Sequence, residues 1–86
     1  MKATWSGEKL KVRREQLGLT MAMLAEKVNC TRPALSIWEA DKASPGGNFV
    51  ILLGIILRIE PRELYIIEEQ IPEIHKTEIK ASEGAH

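Results

Sequence analysis

The chain has 86 residues, with 12 basic and 12 acidic side chains, no net charge and 44% hydrophobic content. That length holds one domain with a modest core, and this mixture of apolar and charged residues excludes a disordered chain. The single cysteine, Cys30, excludes an intrachain disulfide and fits a reducing compartment. The first eight residues contain no apolar signal core. The longest apolar stretch, Phe49 to Leu57, falls short of the about 20 residues that a membrane span needs. A cytoplasmic protein with no membrane partner is expected.

In chain order the spacing predicts five helices. Ser6 caps the first, which runs to Leu17 with Leu10, Val12, Leu17 and the stems of Arg13 and Arg14 as its apolar side. Gly18 ends it in left-handed geometry. Thr20 caps a second helix, Met21 to Val28, with Leu24 and Val28 on one face. Asn29 tolerates the left-handed conformation and opens the turn Asn29-Cys30-Thr31. Thr31 caps a third helix to Glu39, with Pro33 in the first turn, where a missing N–H is harmless. Asp41 to Gly47 is a loop by composition. Phe49 to Leu57 is the fourth helix, and Pro61 opens a fifth with Leu64, Tyr65 and Ile67. The expected domain is 6–69, followed by a tail, 70–86, that is either a dimerisation arm or disordered.

Charge is uneven along the chain. Residues 1–45 hold eight basic and five acidic side chains, a balance of +3, and residues 46–86 hold four and seven, a balance of −3. A mildly basic first half suits a protein that meets phosphate with one face only. Residues 20–39 read as two short helices joined by a three-residue turn, the helix-turn-helix unit. Ala25 is small where the second helix must let the third cross closely.

The stretch from Gly7 to Tyr65 resembles the phage-repressor and Cro family, also called the xenobiotic-response-element type. The matching residues are Leu10, Arg14, Leu17-Gly18-Leu19-Thr20, Leu24-Ala25-Glu26-Lys27-Val28, Leu35, Trp38-Glu39, Lys42, Pro45, Leu53, Leu57, Pro61 and Leu64. The resemblance implies an all-α, compact five-helix, lambda-repressor-like domain that binds double-stranded DNA, usually as a dimer. It implies a transcriptional regulator, in the first instance a repressor, and not an enzyme.

The resemblance also implies roles for individual residues. The third helix would enter the major groove and read bases with Arg32, Pro33, Ser36 and Ile37. Arginine suits guanine through two parallel hydrogen bonds, and Ile37 suits a thymine methyl. Thr20, Met21, Thr31, Lys42 and Ser44 would contact phosphates, which positions the protein without specifying sequence. Arg14 and Glu39 would form a structural ion pair. The chain departs from the family at four places: Met21 stands where Gln is common, and Pro33-Ala34 cannot donate side-chain hydrogen bonds. Asp41 stands where Gly is usual, and Gly47 stands where a core aliphatic residue is usual.

The fourth helix is apolar nearly all round. Positions 50, 53, 54 and 57 match the family's inward face, which leaves Ile51, Leu52 and Ile55 outside. With Tyr65 these residues are the expected homodimer interface, because an exposed apolar patch on a small domain marks an interaction surface. Cys30 reads as a small packing residue, Met21 and Met23 as packing residues, and His75 and His86 as solvated. Glu60, Glu63, Glu68, Glu69 and Glu73 read as a solvated face. No phosphate loop, Ser/His pairing or metal-ligand spacing is present, so neither cofactor nor metal is expected. Two further functions fit the residues: an antitoxin that pairs with a toxin and binds its own promoter, and a protein-interaction module whose DNA surface has decayed.

Overall fold

The structure is a computed structural model and describes residues 1–68. Strand β1 (Lys2–Trp5) leads into α1 (Gly7–Gln16), α2 (Met21–Val28), α3 (Arg32–Glu39) and α4 (Gly47–Leu57). A single 3-10 turn (Pro61–Leu64) and strand β2 (Tyr65–Glu68) follow. The expected tail, 70–86, with Ile71, Ile74 and Ile79, lies outside the described residues.

Three of the four helices start on a side-chain cap, and α1, α2 and α4 stop at or beside a left-handed residue. The side chains of Ser6, Thr20 and Thr31 accept from the backbone N–H of Lys9, Met23 and Ala34 respectively, satisfying donors that have no partner within the helix. Gly18 ends the α1 region with φ of 70°, and Asn29 ends α2 with φ of 61°. Arg58 ends α4 in the same left-handed region, with φ of 58°. In α1 the buried positions are Gly7, Leu10 and Arg14. Val12 and Leu17, expected inside, are exposed, because seven-residue spacing from Gly7 puts only one narrow stripe of a ten-residue helix on the core. Gly47 starts α4 at an exposed position with open space around it, so it leaves no hole in the core.

The core is a leucine cluster. Leu10, Leu24, Val28, Leu35, Leu53, Leu57 and Leu64 are fully buried, with Ala25 and Trp38 beside them. α4 buries Val50, Leu53, Gly54 and Leu57.

The all-α, five-helix expectation is corrected at Pro61–Glu68. Pro61 opens only one 3-10 turn, closed as the Glu63 carboxylate accepts from the Glu60 N–H at 3.0 Å. The next residues, Tyr65-Ile66-Ile67, are aromatic and β-branched and favour extended backbone. They pair antiparallel with β1, in a register that sets Lys2 opposite Glu68 and Trp5 opposite Tyr65. The sheet therefore brings residues 2–5 into a folded unit expected to open at Ser6. The Trp5 and Tyr65 rings meet edge to face at 5.6 Å. No helix among the described residues is long and apolar enough to cross a membrane.

Candidate nucleic-acid interface

The site is built on α3, and its inner side explains why α3 sits where it does. Leu35 and Trp38 enter the core, and Glu39 turns toward α1. Arg14 Nε donates to Glu39 Oε2 at 2.7 Å and Arg14 Nη2 donates to Glu39 Oε1 at 3.2 Å. Arg14 Nη1 donates to the Leu19 carbonyl at 2.8 Å. One guanidinium thus ties α1, the α1–α2 turn and α3 together. The side chains are only 9% and 4% exposed, so each charge depends on the other. The hydrogen bond to Glu39 pushes the Arg14 pKa above its ordinary value, outweighing the opposing effect of burial. Arg14 therefore faces its scaffold partner rather than a ligand.

The outer side of α3 carries Arg32, Pro33, Ser36 and Ile37, all exposed. They fall at i, i+1, i+4 and i+5, so they share one face toward the helix N-terminus. Arg32 is the only cation on that face. Two helix N-termini lie in the same unit, those of α2 and α3. Their caps, Thr20 and Thr31, are exposed. Each threonine uses an acceptor lone pair for the cap, which leaves its O–H free to donate to an anion. Met21 is half-buried and packs on the core, so at that position the backbone N–H is the group available to a ligand. Met23, expected to pack, is exposed.

Beyond α3 the backbone turns at Asp41, which has φ of 61°. Lys42 N–H donates back to the Ile37 carbonyl at 3.1 Å, and the side chains of Lys42 and Ser44 project into solvent. Sequence reasoning missed what holds this corner. The Asp41 carboxylate accepts from Gly7 N–H at 2.7 Å, and Trp5 Nε1 donates to the Trp38 carbonyl at 2.8 Å. Gly7 sits so close to the Trp38 and Glu39 carbonyls that a Cβ there would overlap them. The one available signal was an aspartate standing at a position that requires left-handed backbone.

The apolar residues of α4 lie elsewhere on the surface. Ile51 is 55% and Ile55 is 65% exposed, with Leu52 beside them. Tyr65, expected on a fifth helix, lies half-buried in β2. Arg13 Nε donates to the Leu57 carbonyl at 2.9 Å and so caps the last turn of α4. Cys30 is half-buried, and burial pushes its thiol above the usual range, which keeps it protonated and poorly nucleophilic.

A helix-turn-helix family model matches residues 10–64. Among solved structures, the chain is similar to the P22 c2 repressor in complex with a synthetic operator. That match has 31% identity and a TM-score of 0.66 over 67% of this chain and 88% of that one. It is similar to the restriction-modification controller protein C.AhdI from Aeromonas hydrophila. Here identity is 29% and the TM-score 0.64, over 67% of this chain and 88% of that one. A third similar structure is the biofilm regulator SinR in complex with DNA, at 25% identity and a TM-score of 0.64, over 67% of this chain and 94% of that one. No match is found among curated proteins.

Proposed function

The chain belongs to the helix-turn-helix family of the xenobiotic-response-element type, and from that premise we propose that it is a dimeric, DNA-binding transcriptional regulator acting as a repressor. The observation that carries this reading is the division of α3. One side is locked into the scaffold by Leu35, Trp38 and the Arg14–Glu39 pair. The other side leaves Arg32, Pro33, Ser36 and Ile37 free in the helix that, in this family, enters the major groove.

In this reading Arg32 donates to a guanine edge, Ser36 bonds a neighbouring base, and Ile37 meets a thymine methyl. Pro33 fixes the first turn of α3 and contacts the base edge without a donor. The Thr20, Met21 and Thr31 helix starts and the Lys42–Ser44 corner hold phosphates on either side. Residues 1–45 carry a balance of only +3, so the non-specific electrostatic contribution is modest. Dimerisation then supplies a second reading helix. The α4 residues Ile51, Leu52 and Ile55, with Tyr65, are the proposed interface. Ile51, Leu52 and Ile55 are the large apolar side chains that the folded monomer leaves exposed on α4.

Selection of bound sequences from random duplex DNA tests the reading. The expected product is a two-fold-related site whose halves lie about 34 Å apart, one helical turn. Failure to retain any duplex at low salt would overturn it, and would leave the protein-interaction reading in its place.

A further inference from the structure

Asp41 stands at φ of 61°, in a turn that glycine makes freely and that most other residues resist, aspartate less than most. The aspartate side chain has a specific partner. Its Oδ1 accepts from Gly7 N–H, the first N–H of α1, at 2.7 Å. That is the length of a charge-assisted hydrogen bond, and a helix N-terminus favours a carboxylate.

Further contacts fix the same junction. Trp5 Nε1 donates to the Trp38 carbonyl, and Gly7 lets the start of α1 approach the Trp38 and Glu39 carbonyls without a clashing Cβ. Asp41 N–H donates to Trp38 O at 3.3 Å and Lys42 N–H donates to Ile37 O at 3.1 Å. The root of the corner is therefore held from three directions. The side chains just beyond it, Lys42 and Ser44, make no hydrogen bond among the described residues.

We infer that Asp41 is a positioning residue for DNA-backbone contact: its carboxylate, bound to the Gly7 amide, holds the Lys42–Ser44 corner in the geometry that meets a phosphate. The inference rests on the DNA-binding reading above. Asp41 itself, an anion, does not touch the DNA. It acts by keeping the corner where that contact forms; without the bond to Gly7 the corner moves away and the phosphate contact is lost.

The experiment is a fluorescence-anisotropy titration over a series of salt concentrations, on a duplex selected with the wild-type chain. Asp41→Gly keeps the left-handed turn and removes the carboxylate. Asp41→Asn keeps an oxygen that can accept from Gly7. Asp41→Gly is expected to bind about five- to tenfold more weakly, the worth of about one hydrogen bond. Its slope of log affinity against log salt should be shallower by about 0.9, the value of one phosphate contact. Asp41→Asn should recover most of the loss. In a Lys42→Ala background, Asp41→Gly should cost less than about twofold, because the contact it positions is already gone.

An unchanged affinity and slope for Asp41→Gly would overturn the inference. So would an equal loss in the Lys42→Ala background, or a loss that tracks a lowered melting temperature, since the carboxylate would then act on folding alone. A wild-type chain that binds no duplex would overturn the DNA-binding reading itself. It is a different result from a wild type that binds and an Asp41→Gly variant that matches it.

Discussion

α3 and α4 rest on the same leucine core but leave different things outside. α3 turns Leu35 and Trp38 inward and shows solvent a mixed face of Arg32, Pro33, Ser36 and Ile37. α4 turns Val50, Leu53, Gly54 and Leu57 inward and shows solvent Ile51, Leu52 and Ile55. Folding of one copy explains the inner side of both helices and the outer side of neither. The outer face of α3 carries hydrogen-bonding side chains in Arg32 and Ser36. The outer face of α4 is apolar beyond Asn48 in its first turn, so its natural partner is largely another apolar surface. Fully burying such an aliphatic side chain contributes roughly 1.5–3 kcal/mol, and a monomer forgoes about half of that at Ile51 and Ile55 and less at Leu52.

The largest expected effect lies on the inner side of α3. Arg14→Ala strands the Glu39 carboxylate, which is almost fully buried. It is expected to destabilise the fold by about 3–5 kcal/mol in urea unfolding. A loss below about 1 kcal/mol would mean that the pair is an ornament and that α3 is held by its leucine contacts alone.

The outer side of α4 comes next. Ile55→Asp is expected to raise the dimer dissociation constant by about two orders of magnitude, close to 3 kcal/mol, because both copies lose an apolar contact. Sedimentation equilibrium reads this directly, and the folded monomer should be unharmed because Ile55 contributes little to its core. A wild-type chain that sediments as a monomer at tens of micromolar would break the proposed contrast between the two helices.

The smallest effect concerns how the helices end. Arg58, at the end of α4, holds φ of 58° without a side-chain reason among the described hydrogen bonds. Arg58→Gly is expected to raise stability by about 0.5–1 kcal/mol, measured by thermal melting. Asp41, beyond α3, differs because its side chain has a partner.

The same contrast governs what could be read from the sequence. α2 and α3 were legible to the residue, because Thr20, Asn29, Thr31 and Pro33 signal their boundaries within a few positions of where they act. The inward positions of α4, 50, 53, 54 and 57, were legible only through the family resemblance, because a helix apolar nearly all round gives spacing no face to choose. The β1–β2 sheet was not. Its two halves are separated by four helices, and pairing of Lys2–Trp5 with Tyr65–Glu68 leaves only a weak local trace in Thr4, Trp5 and the Tyr65-Ile66-Ile67 run. Pro61 pointed to a helix that extends for one turn only. In the candidate site, the exposed face of α3 followed from periodicity. The bonds that root the Lys42–Ser44 corner did not, because Asp41–Gly7 and Trp5–Trp38 join residues more than thirty positions apart.

The central claim is that the outer face of α3 reads bases through Arg32. The most direct test compares wild type with Arg32→Ala on a selected duplex and on random duplex of equal length. The account predicts a loss of about 1–3 kcal/mol on the selected duplex and little change on random DNA, so that specificity collapses while the salt-dependent background remains. An equal loss on both duplexes would contradict it, and would make Arg32 one more phosphate contact rather than the residue that recognises sequence.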